Sequence, residues 1–226
     1  MIWCIRSVCK LLDISFNSSG FIKGEKIFQG VNKIIGKVNI EDLPIKFTAV
    51  ATDLTAKKEA WFQKGDLATA IRASASIPTI LAPKKIKTHY FVDGGVLNPL
   101  PVAPTISDMT EIKICVNLNA DIPNIYKKQN IKKQEEQKNN IFSYFENKVS
   151  KDKNKKEELG YFQIMQTSLN LMQNALTRYK TAEYTPDVII NIPIDIGDFY
   201  EFYKAEEFIE IGKKATKKAL SEKFGI

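Results

Sequence analysis

The chain has 226 residues, 44% of them hydrophobic, enough for one domain with a substantial core. Its charge of +7 is carried almost wholly by Lys, with Arg only at Arg6, Arg72 and Arg178. Scarce Arg argues against specific nucleic-acid readout, where its planar fork is the preferred donor.

His89 is the sole histidine, which excludes a Ser-His-Asp triad and a His-based metal site within the chain. Cys4, Cys9 and Cys115 are odd in number and form no C-x-x-C pair. Free thiols in a reducing compartment fit better than a disulfide framework or a zinc site. Met1–Leu12 is interrupted by Arg6 and Lys10 and has no signal-peptide core. No run approaches the ~20 apolar residues of a membrane span. The expected location is cytoplasmic, with peripheral membrane contact as the alternative.

Residues 1–20 read as a short helix and a loop, with Ser18 and Ser19 as loop and cap residues. Ile27, Phe28, Val31, Ile34 and Ile35 predict a helix over Gly24–Lys37 with one buried face, ending near Gly36. Pro44 introduces a strand over Lys46–Thr52, and Glu59–Gln63 returns as a second. Asp66 is placed to cap a helix of small residues over Leu67–Ser76, which Pro78 stops. Small residues let a helix lie close to a sheet, so Ser74 and Ser76 read as packing residues rather than nucleophiles. Arg72 either pairs with a carboxylate or lies in solvent.

Two short apolar runs then lead into Asp93-Gly94-Gly95. Asp-Gly by itself signals a tight turn. Here Asp93 directly follows the apolar strand Tyr90-Phe91-Val92, and two glycines admit a close backbone approach. Asn98-Pro99-Leu100-Pro101 stiffens the exit. A carboxylate held rigidly at a strand end suits a base or an orienting group.

Val102–Ser107 starts a helix, and Glu111–Asn119 reads as a strand buried on both faces. Residues 124–160 are dense in Lys, Gln, Asn and Glu around the island Ile141–Phe145. A solvated linker or insertion is the expectation, and a membrane-adhering patch the alternative. From Tyr161 to about Arg178 an amphipathic helix should bury Phe162, Met165, Leu169, Met172, Ala175 and Leu176. Asp187–Ile192 is a further strand. Phe202–Phe224 is the last helix, with Phe208, Ile209, Ile211, Gly212, Ala215 and Ala219 near its packed side. Alternating strands and helices predict an α/β domain with a mostly parallel sheet.

The segments Arg72–Pro78 and Phe91–Val102 resemble the second half of a bacterial patatin-like phospholipase domain. The similarity extends back through Leu43-Pro44-Ile45 and Ala49–Leu54 and forward to about Leu118. It implies a three-layer α/β/α fold over a single domain, 1–226, with 124–160 as a linker or insertion within it. It also implies a lipid acyl hydrolase acting on lipid esters or phospholipids, without metal or organic cofactor. In that family a serine in G-x-S-x-G pairs with the aspartate of D-G-[GA], which makes Asp93 the base and Gly94 and Gly95 its turn. A glycine-rich loop supplies the oxyanion hole. G-x-S-x-G needs glycines four apart, and the only such pair, Gly20 and Gly24, has Ile22 between them. No glycines stand two apart, as a G-x-G-x-x-G loop would require. The expectation is an N-terminally truncated domain, without its own nucleophile and inactive alone. The alternative is a non-catalytic remnant or a lipid- or membrane-interaction module.

Overall fold

Hydrophobic periodicity sets the elements, and short turns set how they pair. The computed structural model describes residues 23–126, 161–197, 201 and 204–225. The helix and loop expected over 1–20, and all of 124–160 beyond Tyr126, lie outside the described residues.

The first sheet contains β1 (Ala49–Asp53), β2 (Lys58–Phe62), β3 (Lys84–Ile86) and β4 (His89–Asp93), in the order β2-β1-β4-β3. All three pairings are antiparallel. Short connections dictate two of them. Leu54–Lys57 joins β1 to β2, and Lys87-Thr88 joins β3 to β4. Parallel strands need a crossover of a dozen residues or more, so these turns permit only antiparallel neighbours. The α/β class holds, but the mostly parallel sheet is corrected. Among the described residues only β5 (Ile114–Ala120) and β6 (Val188–Pro193) pair in parallel, joined through α3 (Tyr161–Glu183).

The first sheet is covered on both faces. On one lies α2 (Leu67–Ser74), whose Ala70 and Ala73 pack with Leu67 against Ala49, Ala51 and Phe91. The small-residue reading of this helix holds. Phe62 and Phe91 meet edge to face at 5.3 Å beneath it. Asp66 caps the helix by accepting from Thr69 N at 2.8 Å. Asp66→Ala should cost about 1 kcal/mol in urea unfolding, without a change in m. On the other face lie the chain following Asp93 and helix α3, which an ion pair of 3.7 Å joins to β2 through Lys180 and Glu59. Helix α4 (Ala205–Phe224) packs Ala215 against Val188, Ile190 and Ile192 of β6.

Several packing expectations are corrected. Helix α1 (Glu25–Ile35) forms, but no residue of it is fully buried, and Ile34 points to solvent. Strand β5 is not buried on both faces, because Ile114, Val116 and Leu118 are exposed. They share a side with Val188 and Ile190, where α4 sits over β6 rather than over β5. Val102–Ser107 yields only a single 3₁₀ turn, Ala103–Thr105. In α4, Ile211 and Ala215 are buried but Ile209 is exposed. In α3, Met165, Leu169 and Leu176 are half-buried, but Met172 is 54% exposed and Ala175 is also exposed, whereas Thr177 is 5% exposed, so only part of the expected apolar stripe faces inward. The side chain of Phe162 lies outside the described residues. The reason lies in the surface α3 meets. That face of the first sheet presents Glu59 and the Gly94-Gly95 turn, which receive the polar residues Lys180 and Gln173.

Candidate functional site

Asp93 ends β4 and opens a 3₁₀ turn, Gly94–Val96. The hairpin of this strand is at its other end, at Lys87-Thr88, so Asp93-Gly94 does not reverse the chain between two strands. Four main-chain N–H groups hold the turn, one of them bonded to the carboxylate itself. Asp93 N donates to Ser76 O at 2.9 Å, tying the strand end to the end of α2. Gly95 N donates to Asp93 Oδ1 at 2.7 Å. Leu97 N and Asn98 N both donate to Gly94 O, at 3.1 and 2.8 Å, closing the turn. Burial pushes the Asp93 carboxyl above its ordinary range, and the Gly95 N–H opposes this only in part.

The two glycines have different jobs. A Cβ on Gly94 would stand 2.4 Å from Val50 O and 2.8 Å from Val50 C, inside the backbone of β1. Only glycine permits that approach. A Cβ on Gly95 would meet Gln173 Nε2 at 2.9 Å and Asp93 Oδ1 at 3.0 Å. The amide of Gln173 therefore lies over the turn from α3.

Asp93 faces an open cleft of about 500 Å³. Its apolar lining comes from Phe47, Val50, Ile71, Pro99 and Pro101, and its polar lining from Thr48, Ser74, Asp93 and Asn98. A few polar groups in a mostly apolar wall suit a ligand with an apolar portion and one reactive polar centre.

Both serines near Asp93 direct their hydroxyls into the scaffold. Ser74 Oγ donates to Val50 O at 2.7 Å, and Ser76 Oγ to Arg72 O at 2.7 Å. Arg72 does not lie in solvent. It is buried, donates to Lys23 O at 2.8 Å and Ala82 O at 2.9 Å, bonds Ser76 Oγ, and lies 4.7 Å over the Phe28 ring. It ties α1 to the end of α2.

Polar groups that sequence reasoning missed lie beside the cleft. Asn98 is only 2% exposed, and its Nδ2 donates to Glu59 Oε2 at 3.1 Å. Glu59 also accepts from Trp61 Nε1 at 3.1 Å. These partners are far apart in sequence, and no local pattern joins them. His89 Nδ1 lies 2.6 Å from Asp53 Oδ2, at the far end of β4 from Asp93. Burial raises the Asp53 carboxyl, but hydrogen bonds from Ala56 N–H, His89 and Thr55 N–H outweigh it and hold the group below its ordinary range. Among the described residues no cluster of three His, Cys, Asp or Glu side chains is placed to hold a metal, and no helix is long and apolar enough to cross a membrane.

The site coincides with a recognisable family pattern. The family model described as patatin-like phospholipase matches residues 5–106, which include Asp93 and the lining of the cleft. An NTE family protein of Mycobacterium tuberculosis (strain ATCC 25618 / H37Rv) is 30% identical over 266 residues, covering 95% of this chain and 74% of its own length. A second NTE family protein, from Mycobacterium bovis, is 32% identical over 106 residues, covering 47% of this chain and 18% of its own. The neuropathy target esterase sws of Drosophila persimilis is 32% identical over 96 residues, covering 41% of this chain and 7% of its own. Similarity over nearly the whole chain to the mycobacterial protein, together with the domain match around Asp93, shows that this chain belongs to the patatin-like phospholipase family.

Proposed function

We propose that this protein takes part in hydrolysis of lipid esters or phospholipids by a serine–aspartate dyad in which Asp93 is the base. The observation that carries the reading is the Asp93 carboxylate itself. It is half-buried, fixed at a strand end, bonded through Oδ1 to Gly95 N, and turned to a largely apolar cleft. In such a site a serine hydroxyl loses its proton to Asp93 as its oxygen attacks the acyl carbonyl. Asp93 then passes that proton to the leaving alcohol and takes another from the water that cleaves the acyl-serine. A carboxyl raised by burial is a stronger base than an exposed one. No metal or organic cofactor enters this chemistry. The lining suits an acyl chain, and peripheral contact with a lipid surface would bring substrate to it.

The nucleophile is the open part of the dyad. The 226 residues contain no G-x-S-x-G, and the hydroxyls of Ser74 and Ser76 are bonded inward. We therefore expect the purified chain to show no turnover above a boiled control on short-chain nitrophenyl esters or phospholipid vesicles. Co-expressed with a G-x-S-x-G-bearing segment of a patatin-like relative, it should give turnover sensitive to a fluorophosphonate. A non-catalytic lipid-interaction module, favoured by the same absence, would bind vesicles but stay inactive in both assays. Fluorophosphonate-sensitive turnover by the chain alone would overturn the missing-nucleophile assignment and direct attention to Ser74.

A further inference from the structure

Strand β5 leaves both an edge and a face uncovered. Among the described residues it pairs only with β6, so the backbone groups of its other edge have no strand partner. Ile114, Val116 and Leu118 are 51%, 51% and 64% exposed and form one row along its face, which Ile112 extends. Strand β6 differs, because Val188, Ile190 and Ile192 on that side are buried beneath α4. Parallel strands are almost always covered on both faces, so a bare apolar row on one of them marks a place for a further layer. The carboxyl end of β5 and the Asp93 turn also lie along one stretch of α3. Arg178 of that helix pairs at 3.5 Å with Asp121, just past the end of β5, and Gln173 lies over the Gly95 turn. Five helical residues separate the two contacts, about 7.5 Å along the axis.

We propose that β5 is the docking surface for the serine-bearing segment, whose strand pairs with the free edge and whose helix covers Ile114, Val116 and Leu118. The proposal rests on the dyad reading above, in which a G-x-S-x-G segment supplies the nucleophile. That motif is a strand, a sharp turn carrying the serine, and a helix. The unpaired edge fits the strand, and the bare row fits the helix. A helix about 10 Å wide spans two strands about 4.8 Å apart, so it would cover the added strand and β5 while α4 keeps β6. Direction follows from where the serine must go. It stands at the carboxyl end of its strand, so only a strand parallel to β5 brings it to the end that shares α3 with the Asp93 turn. Open parallel sheets place their sites at that end. A lipid surface would meet the row but leave the edge groups unpaired.

The test uses the full chain co-expressed with a tagged G-x-S-x-G-bearing segment of a patatin-like relative. Hydrogen exchange over residues 113–121 should be at least about tenfold slower in the co-purified pair than in the chain alone, because edge N–H groups that faced water enter a ladder. Val116→Lys and Leu118→Lys should each cut co-purification at least about tenfold, since the ammonium would be trapped under the arriving helix. Ile34→Lys, on the exposed side of α1, should co-purify like wild type. All three positions are half-exposed or more, so a lysine reaches water in the chain alone, and circular dichroism verifies that each variant folds. Normal co-purification of both β5 variants, protection confined to other segments, or no co-purification of the wild-type chain would overturn the proposal. So would a wild-type dimer on size exclusion that Val116→Lys splits, because a second copy would then be the occupant. Loss of vesicle binding in the β5 variants, with co-purification intact, would assign the row to lipid instead and equally defeat it. A pair held through β5 but without fluorophosphonate-sensitive turnover would uphold the docking surface and defeat the dyad reading.

Discussion

Asp93→Asn is expected to lower kcat/KM of the complemented enzyme by about 10²–10⁴-fold, the range typical of lost general-base assistance. The fold should survive. Asn is nearly isosteric, its Oδ1 can still accept from Gly95 N, and the bond from Asp93 N to Ser76 O is main-chain. The variant should be at least as stable as wild type at neutral pH. The Asp93 carboxyl is raised in the folded state, so folded protein holds that proton more tightly than unfolded chain. Stability from this group is therefore greatest at low pH and declines as pH rises from the unfolded to the folded pKa. The neutral amide removes that loss. Activity runs the other way, because only the ionised carboxylate is a base. The acid limb of kcat/KM should therefore lie above the ordinary carboxylate range and vanish with the variant's activity. Steady-state kinetics across pH and thermal unfolding of both proteins check this. A folded Asp93→Asn enzyme within about tenfold of wild type would leave the motif as a structural turn.

The second large effect separates the two glycines. Gly94→Ala drives a methyl into the Val50 carbonyl of the buried central strand, where neither backbone can move without breaking ladder bonds. Overpacking against immobile backbone should cost about 3 kcal/mol, the upper end of its usual range. That corresponds to a fall of roughly 6–12 °C in Tm for a chain of this size. Gly95→Ala meets the tip of the Gln173 side chain and the carboxylate oxygen, both of which can shift. It should leave Tm within a few degrees but displace Asp93, and so lower activity in the complemented enzyme. Calorimetry of the two variants beside their kinetics tests the division. Equal Tm for both would mean that Gly94 is not held against β1 as described.

The sequence by itself determined the local elements around the site. The alternation ending at Val92, the Asp66 cap, the small residues of α2 and the Asp93-Gly94-Gly95 turn are short-range features, governed by propensity and periodicity within a few residues. Motif similarity added the family, which the domain match and the mycobacterial relative bear out. What only the tertiary structure decided is which faces meet. Periodicity in α3 assigns an apolar stripe inward, yet the sheet face it meets presents Glu59 and a glycine turn, so Gln173 and Lys180 point there too, while Met172 and Ala175 are left exposed. Strand β5 reads as fully buried because a continuous apolar run carries no record of how far the covering helix reaches. Strand direction was decided by turn lengths that two antiparallel hairpins impose, against the parallel expectation from alternating elements. Asn98 and Glu59, 39 residues apart, meet because β2 and the Asp93 turn share one face of the sheet. Hydrogen bonds of that kind depend on long-range packing, for which a single chain's local pattern holds no signal.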